Sequence, residues 1–126
     1  LQHNNNEISL RKRTEYLQAI KVLGYESFDS LIRGDMNRFG NILEETWELK
    51  KKAFSQSSNK YIDSLYLAAK KAGAIGGRVA GAGGGGHMVF YCRPGTEHKG
   101  AKVLQELGTK SVDFNFDHQG LETWEV

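Results

Sequence analysis

The residues best suited to chemistry in this chain lie in Gly77-Arg78-Val79-Ala80-Gly81-Ala82-Gly83-Gly84-Gly85-Gly86-His87-Met88. Glycine loses more backbone freedom on folding than any other residue, so a clustered run needs a physical reason. Two reasons are common: backbone at positive φ, and close approach of main-chain N–H groups to a ligand. Converging N–H donors suit an anion, a phosphate above all. Gly81, Ala82, Gly83, Gly84, Gly85 and Gly86 are therefore the candidate contacts to a phosphate or substrate. His87 borders the run and could touch the same ligand or hold a structural partner at a strand end.

Two better-known glycine motifs fail on context. Gly81-x-Gly83-x-x-Gly86 formally matches the dinucleotide fingerprint, which requires a helix to open from the glycines. Here His87-Met88-Val89-Phe90-Tyr91-Cys92 follows, short, apolar and rich in strand formers. The phosphate loop of nucleotide triphosphatases ends in Gly-Lys-Ser/Thr, which is absent. What remains is strand, glycine loop, strand. Four consecutive glycines are also more than a two-residue hairpin turn needs.

The elements that must position this loop follow from pattern. Residues 9–23 read as a helix with Leu10, Tyr16, Leu17, Ile20 and Leu23 near one face and Gly24 ending it. Arg11, Lys12 and Arg13 read as its solvated start. A short helical piece follows, with Phe28, Leu31 and Ile32 inward and Gly34 at its stop. Asp35 caps the longest helix, 36–54, whose stripe is Met36, Phe39, Leu43, Trp47 and Lys50. Lys50 lies at the stripe's edge, its stem packing while its ammonium reaches water. Trp47 reads as a core anchor, and Glu48 with Lys52 as an i,i+4 pair. Asn59 caps a further helix bearing Ile62, Leu65, Tyr66 and Ala69, with Gly73 at its C-terminal stop.

Beyond Gly73 the signals alternate. Residues 74–77 read as a connection, 78–81 as a strand into the loop, and 87–92 as the strand leaving it. Thr96 can cap a helix ending near Leu107. Val112, Phe114 and Phe116 alternate with Asp113, Asn115 and Asp117 as a half-exposed strand, and 121–126 can pair back on it as a hairpin. The expected class is α+β, with helices packed on one face of a small, mostly antiparallel sheet. The chain is read as one domain over 1–126, with leading helices in 1–34 and a core in 35–126.

Composition narrows function. The chain has 126 residues and a formal net charge of +2, with both signs spread along it. That gives no argument for nucleic acid or an anionic membrane as partner. No apolar stretch approaches the ~20 residues of a membrane span, and no signal peptide is visible. The single cysteine, Cys92, reads as a buried core thiol in a reducing, cytoplasmic setting. His3, His87, His98 and His118 show no metal-ligand spacing, and no serine sits in a nucleophile elbow. The first residue is Leu1, which fits a fragment, a processed product or a chain whose start lies upstream.

The run from Gly77 to Gly86 resembles the third motif of the GHMP small-molecule kinases, in which a basic strand residue precedes Gly-Ala-Gly-x-Gly-Gly and a strand follows. Arg78 matches the basic position. Gly34-Asp35, Glu45-Thr46-Trp47-Glu48-Leu49-Lys50-Lys51-Lys52, Ser58-Asn59-Lys60-Tyr61-Ile62-Asp63 and Val112-Asp113-Phe114-Asn115-Phe116 resemble the sugar-kinase branch that includes the heptose 7-phosphate kinases. The likeness extends over residues 30–126.

The resemblance implies a ferredoxin-like C-terminal domain of an ATP-dependent carbohydrate phosphotransferase. The superfamily's Pro-x-x-x-Gly-Leu-Gly-Ser-Ser loop for ATP phosphates does not occur in this sequence, and the chain starts after the domain's first strand. It implies that an N-terminal domain of the same protein binds most of the ATP and Mg²⁺, and that this chain alone does not catalyse transfer. Residues 81–86 would then pack against the ATP loop and line the acceptor site, with Arg78 and His87 supporting them. His87 departs from the small or apolar residue expected after the motif. A galactokinase-like or other GHMP kinase is the alternative parent. A non-catalytic ferredoxin-like ligand-binding module and an interaction or oligomerisation domain using helix 36–54 are the other classes.

Overall fold

A computed structural model describes residues 8–80, 87–112 and 121–125. The chain runs α1 (Leu10–Arg33), α2 (Met36–Ala53), a 3-10 turn at Ser55–Ser57, α3 (Lys60–Ala72), β1 (Ala74–Ala80), β2 (His87–Cys92), α4 (Glu97–Glu106), β3 (Lys110–Val112) and β4 (Leu121–Glu125). Among these residues no helix is long and apolar enough to cross a membrane.

The helix starts follow the side-chain chemistry. The Ser9 hydroxyl accepts from the Lys12 N–H, the Asp35 carboxylate from Arg38 N–H at 3.1 Å, and Asn59 Oδ1 from Ile62 N–H at 2.9 Å. Each satisfies one of the donors a helix start leaves unpaired. Gly34 and Gly73 close α1 and α3 at positive φ. Thr96 precedes α4, but its hydroxyl donates to the Arg93 carbonyl at 2.7 Å instead of capping the helix.

The first two helical pieces are one helix. α1 passes through Gly24 without a break and ends at Arg33. Nothing lies within 4 Å of where a Gly24 side chain would stand, so this glycine ends nothing and makes room for nothing. Continuity also changes the buried face. Leu23, Ser30 and the partly buried Leu31 turn toward α2, whereas Leu10, Leu17, Phe28 and Ile32, expected inward, are exposed. A single rod cannot present both sets to one neighbour. Arg13 departs from its reading as a solvated charge: its Nε donates to the Ala53 carbonyl at 2.8 Å, meeting the C-terminus of α2. The expected Glu48–Lys52 pair is replaced by Glu48–Lys51 at 3.1 Å.

All strand pairings are antiparallel, in the order β1-β2-β4-β3. The α+β class stands, but helices cover both faces of the sheet, not one. The continuous apolar run of β2 is the reason, since alternate residues must be buried on opposite sides. Met88, Phe90 and Cys92 face Leu65 and Ala69 of α3 and Leu104 of α4. Val89 and Tyr91 face Phe39 and Leu43 of α2, with Phe39 and Tyr91 edge to face at 6.3 Å. Trp47, 1% exposed, is the core anchor that its place in the stripe predicts. Cys92 is buried, as expected.

β1 begins at Ala74, so the segment 74–77 is strand and not connection. Its glycines disguise it. Gly76 carries no side chain because one would stand 2.0 Å from the Gly40 carbonyl oxygen of α2; one on Gly77 would stand 2.3 Å from the Phe90 ring. The register slips between Ala74 and Gly76, a bulge that bends the strand where α2 presses on it. The alternating segment expected around 112–116 is strand at Lys110–Val112; residues 113–120 lie outside the described residues. β4 pairs back on β3, as the expected hairpin requires, and it also pairs with β2.

Among the described strands β1 lies at a sheet edge, and side chains meet the main-chain groups along that edge. Lys70 Nζ donates to the Ile75 carbonyl at 2.8 Å. The Tyr66 hydroxyl donates to the Gly77 carbonyl and accepts from the Gly77 N–H, both at 3.1 Å. Lys50 Nζ approaches the Val79 carbonyl at 3.5 Å. Lys70 also pairs with Glu44 of α2 at 2.9 Å, joining helices from opposite faces around the strand.

Three substitutions test this packing. Gly24→Ala, at an open helix-interior site, is expected to raise stability by about 0.5–1 kcal/mol. Gly76→Ala meets a backbone atom that cannot rotate away and is expected to lose about 3 kcal/mol or more. Tyr66→Phe keeps the ring but orphans both Gly77 groups, with an expected loss of about 1–3 kcal/mol. Urea unfolding of each variant measures all three, and faster amide exchange at Gly77 in Tyr66→Phe locates the loss.

Candidate functional site

β1 and β2 form the stem that delivers the glycine run. Ala80 and His87 are register partners at its end, so the chain leaves and re-enters the sheet at one point. Residues 81–86 lie outside the described residues, as do the roles expected of Gly81, Ala82, Gly83, Gly84, Gly85 and Gly86. What surrounds the stem end is described.

Strand alternation sets the orientation of Arg78. Arg78 pairs with Val89, whose side chain packs toward α2, so Arg78 projects on the α2 side. His87 occupies the same side by register, between Ala80 of β1 and Glu125 of β4, and is half-buried. Arg78 Nε is buried and has no hydrogen-bond partner among the described residues. Its guanidinium forms no ion pair among the described residues either.

Lys50 joins Arg78 at this end of the stem. It stands one helical turn beyond Trp47, and its ammonium reaches the Val79 carbonyl, the residue next to Arg78. Burial pulls the Lys50 pKa below the ordinary lysine value, and the positive charge of Arg78 adds to the shift. Its carboxylate neighbours along α2 are engaged elsewhere: Glu44 with Lys70 and Glu48 with Lys51. The sequence pattern alone places Lys50 at the solvated edge of an apolar stripe. The signal that marks it is its position, a charge at a core spacing on the helix that faces Arg78.

Tyr66 fixes the strand just before Arg78. Burial raises its hydroxyl pKa above the usual tyrosine value; the Gly77 N–H opposes this, and Glu44 and Glu48 add to it. The phenol stays protonated and can donate to the Gly77 carbonyl. A separate open groove of about 780 Å³ runs between α1 and α2, lined by Ala19, Val22, Leu23 and Leu49 with Glu44, Glu45 and Glu48. Its three carboxylates make it unsuited to an anionic ligand, in contrast to the cationic stem end. Among the described residues no cluster of His, Cys, Asp or Glu could hold a metal ion.

The described part of the site thus brings Arg78, Lys50 and His87 to the end of one strand pair, where the chain leaves the sheet at Ala80 and re-enters it at His87. Positive charge at that point suits an anion.

A family model for the C-terminal part of GHMP kinases matches residues 27–111. The D-glycero-alpha-D-manno-heptose 7-phosphate kinase of Campylobacter jejuni subsp. jejuni serotype O:2 is 29% identical over 125 residues, covering 99% of this chain and 37% of that protein. The mevalonate kinase of Pyrococcus abyssi is 36% identical over 69 residues, covering 55% of this chain and 20% of that protein. The chain therefore spans little more than a third of the length of one curated relative and a fifth of the other. The two-faced sheet, the strand–glycine–strand stem and the matched segment lead to one assignment: the chain belongs to the GHMP kinase C-terminal domain family.

Proposed function

We propose that this chain is the C-terminal part of an ATP-dependent kinase that transfers the γ-phosphoryl group to a hydroxyl of a sugar or sugar phosphate, with heptose 7-phosphate as acceptor. The observation that carries this reading is the extent of the Campylobacter alignment. It runs over 99% of the chain, and so includes β4 and the part of α1 before residue 27, which lie outside the segment matched by the family model. A likeness confined to the glycine motif would support only the superfamily.

Phosphoryl transfer needs little covalent help from protein; it needs positioning and stabilisation of spreading negative charge. Residues 81–86 would offer backbone N–H groups to the reacting phosphate or the acceptor, with Arg78 and His87 supporting them. ATP supplies the phosphoryl group and Mg²⁺ neutralises charge on it. Nucleotide and ion are assigned mainly to an N-terminal domain of the same protein, and this chain alone is expected to be inactive. The reaction is placed in the cytoplasm, with no nucleic acid or membrane partner. The mevalonate kinase likeness keeps another GHMP small-molecule kinase, galactokinase-like or otherwise, as the second reading.

The test is ADP release by the full-length protein with MgATP and heptose 7-phosphate, galactose or mevalonate as competing acceptors. Heptose 7-phosphate is expected to give the highest kcat/KM, and the isolated 126-residue chain no turnover. Preference for galactose or mevalonate would replace the acceptor. Absence of turnover with every GHMP-type acceptor would overturn the kinase reading.

A further inference from the structure

The stem end contains a charge arrangement that the described residues leave uncompensated. Arg78 Nε is buried without a partner among the described residues, and a buried donor in that state needs an explanation. Lys50 approaches the adjacent carbonyl only at 3.5 Å, a long contact for an ammonium. The nearby carboxylates of α2 are held by Lys70 and Lys51. Two like charges are therefore kept together by strand and helix, on the side of the sheet that α2 covers, within three residues of the glycine run.

We propose that Arg78 and Lys50 form a seat for a phosphate monoester, with the Arg78 guanidinium and the Lys50 ammonium each donating to its oxygens. The strand holds the guanidinium, whose fork suits two phosphate oxygens, while lysine adds a mobile point charge. A dianion there would accept from the half-buried Arg78 guanidinium and relieve the repulsion between the two cations. The phosphate is either the one an acceptor sugar already carries or one from the nucleotide; that choice rests on the kinase reading, whereas the seat does not. Lys50 thereby gains a role beyond covering a strand edge.

Inorganic phosphate is the probe for the seat. With lysines carrying ¹³C-methyl labels, phosphate added to this chain is expected to shift the Lys50 resonance saturably and raise its titration midpoint; chloride at equal ionic strength is expected to do neither. Arg78→Lys, which keeps the charge but removes the fork, is expected to weaken phosphate binding about tenfold, the equivalent of one charge-assisted hydrogen bond. No saturable response in the wild-type chain overturns the seat, whether or not any variant folds.

In the full-length protein, Lys50→Gln is expected to raise KM about tenfold for the substrate whose phosphate sits there. A rise for the phosphorylated acceptor assigns the seat to the sugar phosphate, and a rise for ATP assigns it to the nucleotide. Equal, small changes in both overturn the proposal. Wild-type protein that binds phosphate but turns over no acceptor removes the kinase reading and leaves the seat standing.

Discussion

Closure of the outer edge of β1 by side chains is the constraint on which the rest of the structure depends. An edge strand leaves alternate N–H and C=O groups without partners. Here Lys70, Tyr66 and Lys50 meet the groups at Ile75, Gly77 and Val79 in succession. The donors come from helices on opposite faces, and the Glu44–Lys70 pair joins those helices around the strand. That ion pair is about one-third exposed and contributes little by itself. Its value is geometric, because it helps hold α2 and α3 against the strand that leads to the glycine run.

The same strand must also be thin. α2 can approach only because Gly76 presents no side chain to Gly40, and the Phe90 ring can lie over β1 only because Gly77 presents none on the other side. The entropy glycine costs in a strand is thus balanced by two close contacts, one per face. With α2 that near, Lys50 reaches the Val79 carbonyl at the end of β1, where the charge of Arg78 acts on it. Backbone packing in the middle of the strand and charge at its end are consequences of one arrangement.

Much of this was legible in the residues, and the failures share a cause. The caps at Asp35 and Asn59, the stop at Gly73, the Trp47 anchor and the burial of Cys92 all follow from local chemistry that the structure repeats. The misreadings concern glycine and lysine, whose meaning depends on neighbours distant in sequence. Gly24 looked like a helix stop and is a tolerated interior residue, while Gly76 and Gly77 looked like a connection and are strand. The apolar run of β2 could have shown that both faces of the sheet are covered, since a half-exposed strand would alternate. The approach of Lys50 to Val79, the neighbour of Arg78, spans 29 positions, and no periodicity within one element reveals it.

The position of β4 has a bearing on synthesis. β3 pairs only with β4 among the described strands, and β4 also pairs with β2. A ribosome therefore releases β3 before the strand that attaches it to the rest of the sheet exists. Until residues 121–125 emerge, the nascent chain holds a hairpin of β1 and β2 with one side of β2 open, an invitation to chaperones or to premature pairing with another chain. Completion of the sheet is deferred to the last element to leave the tunnel among those described.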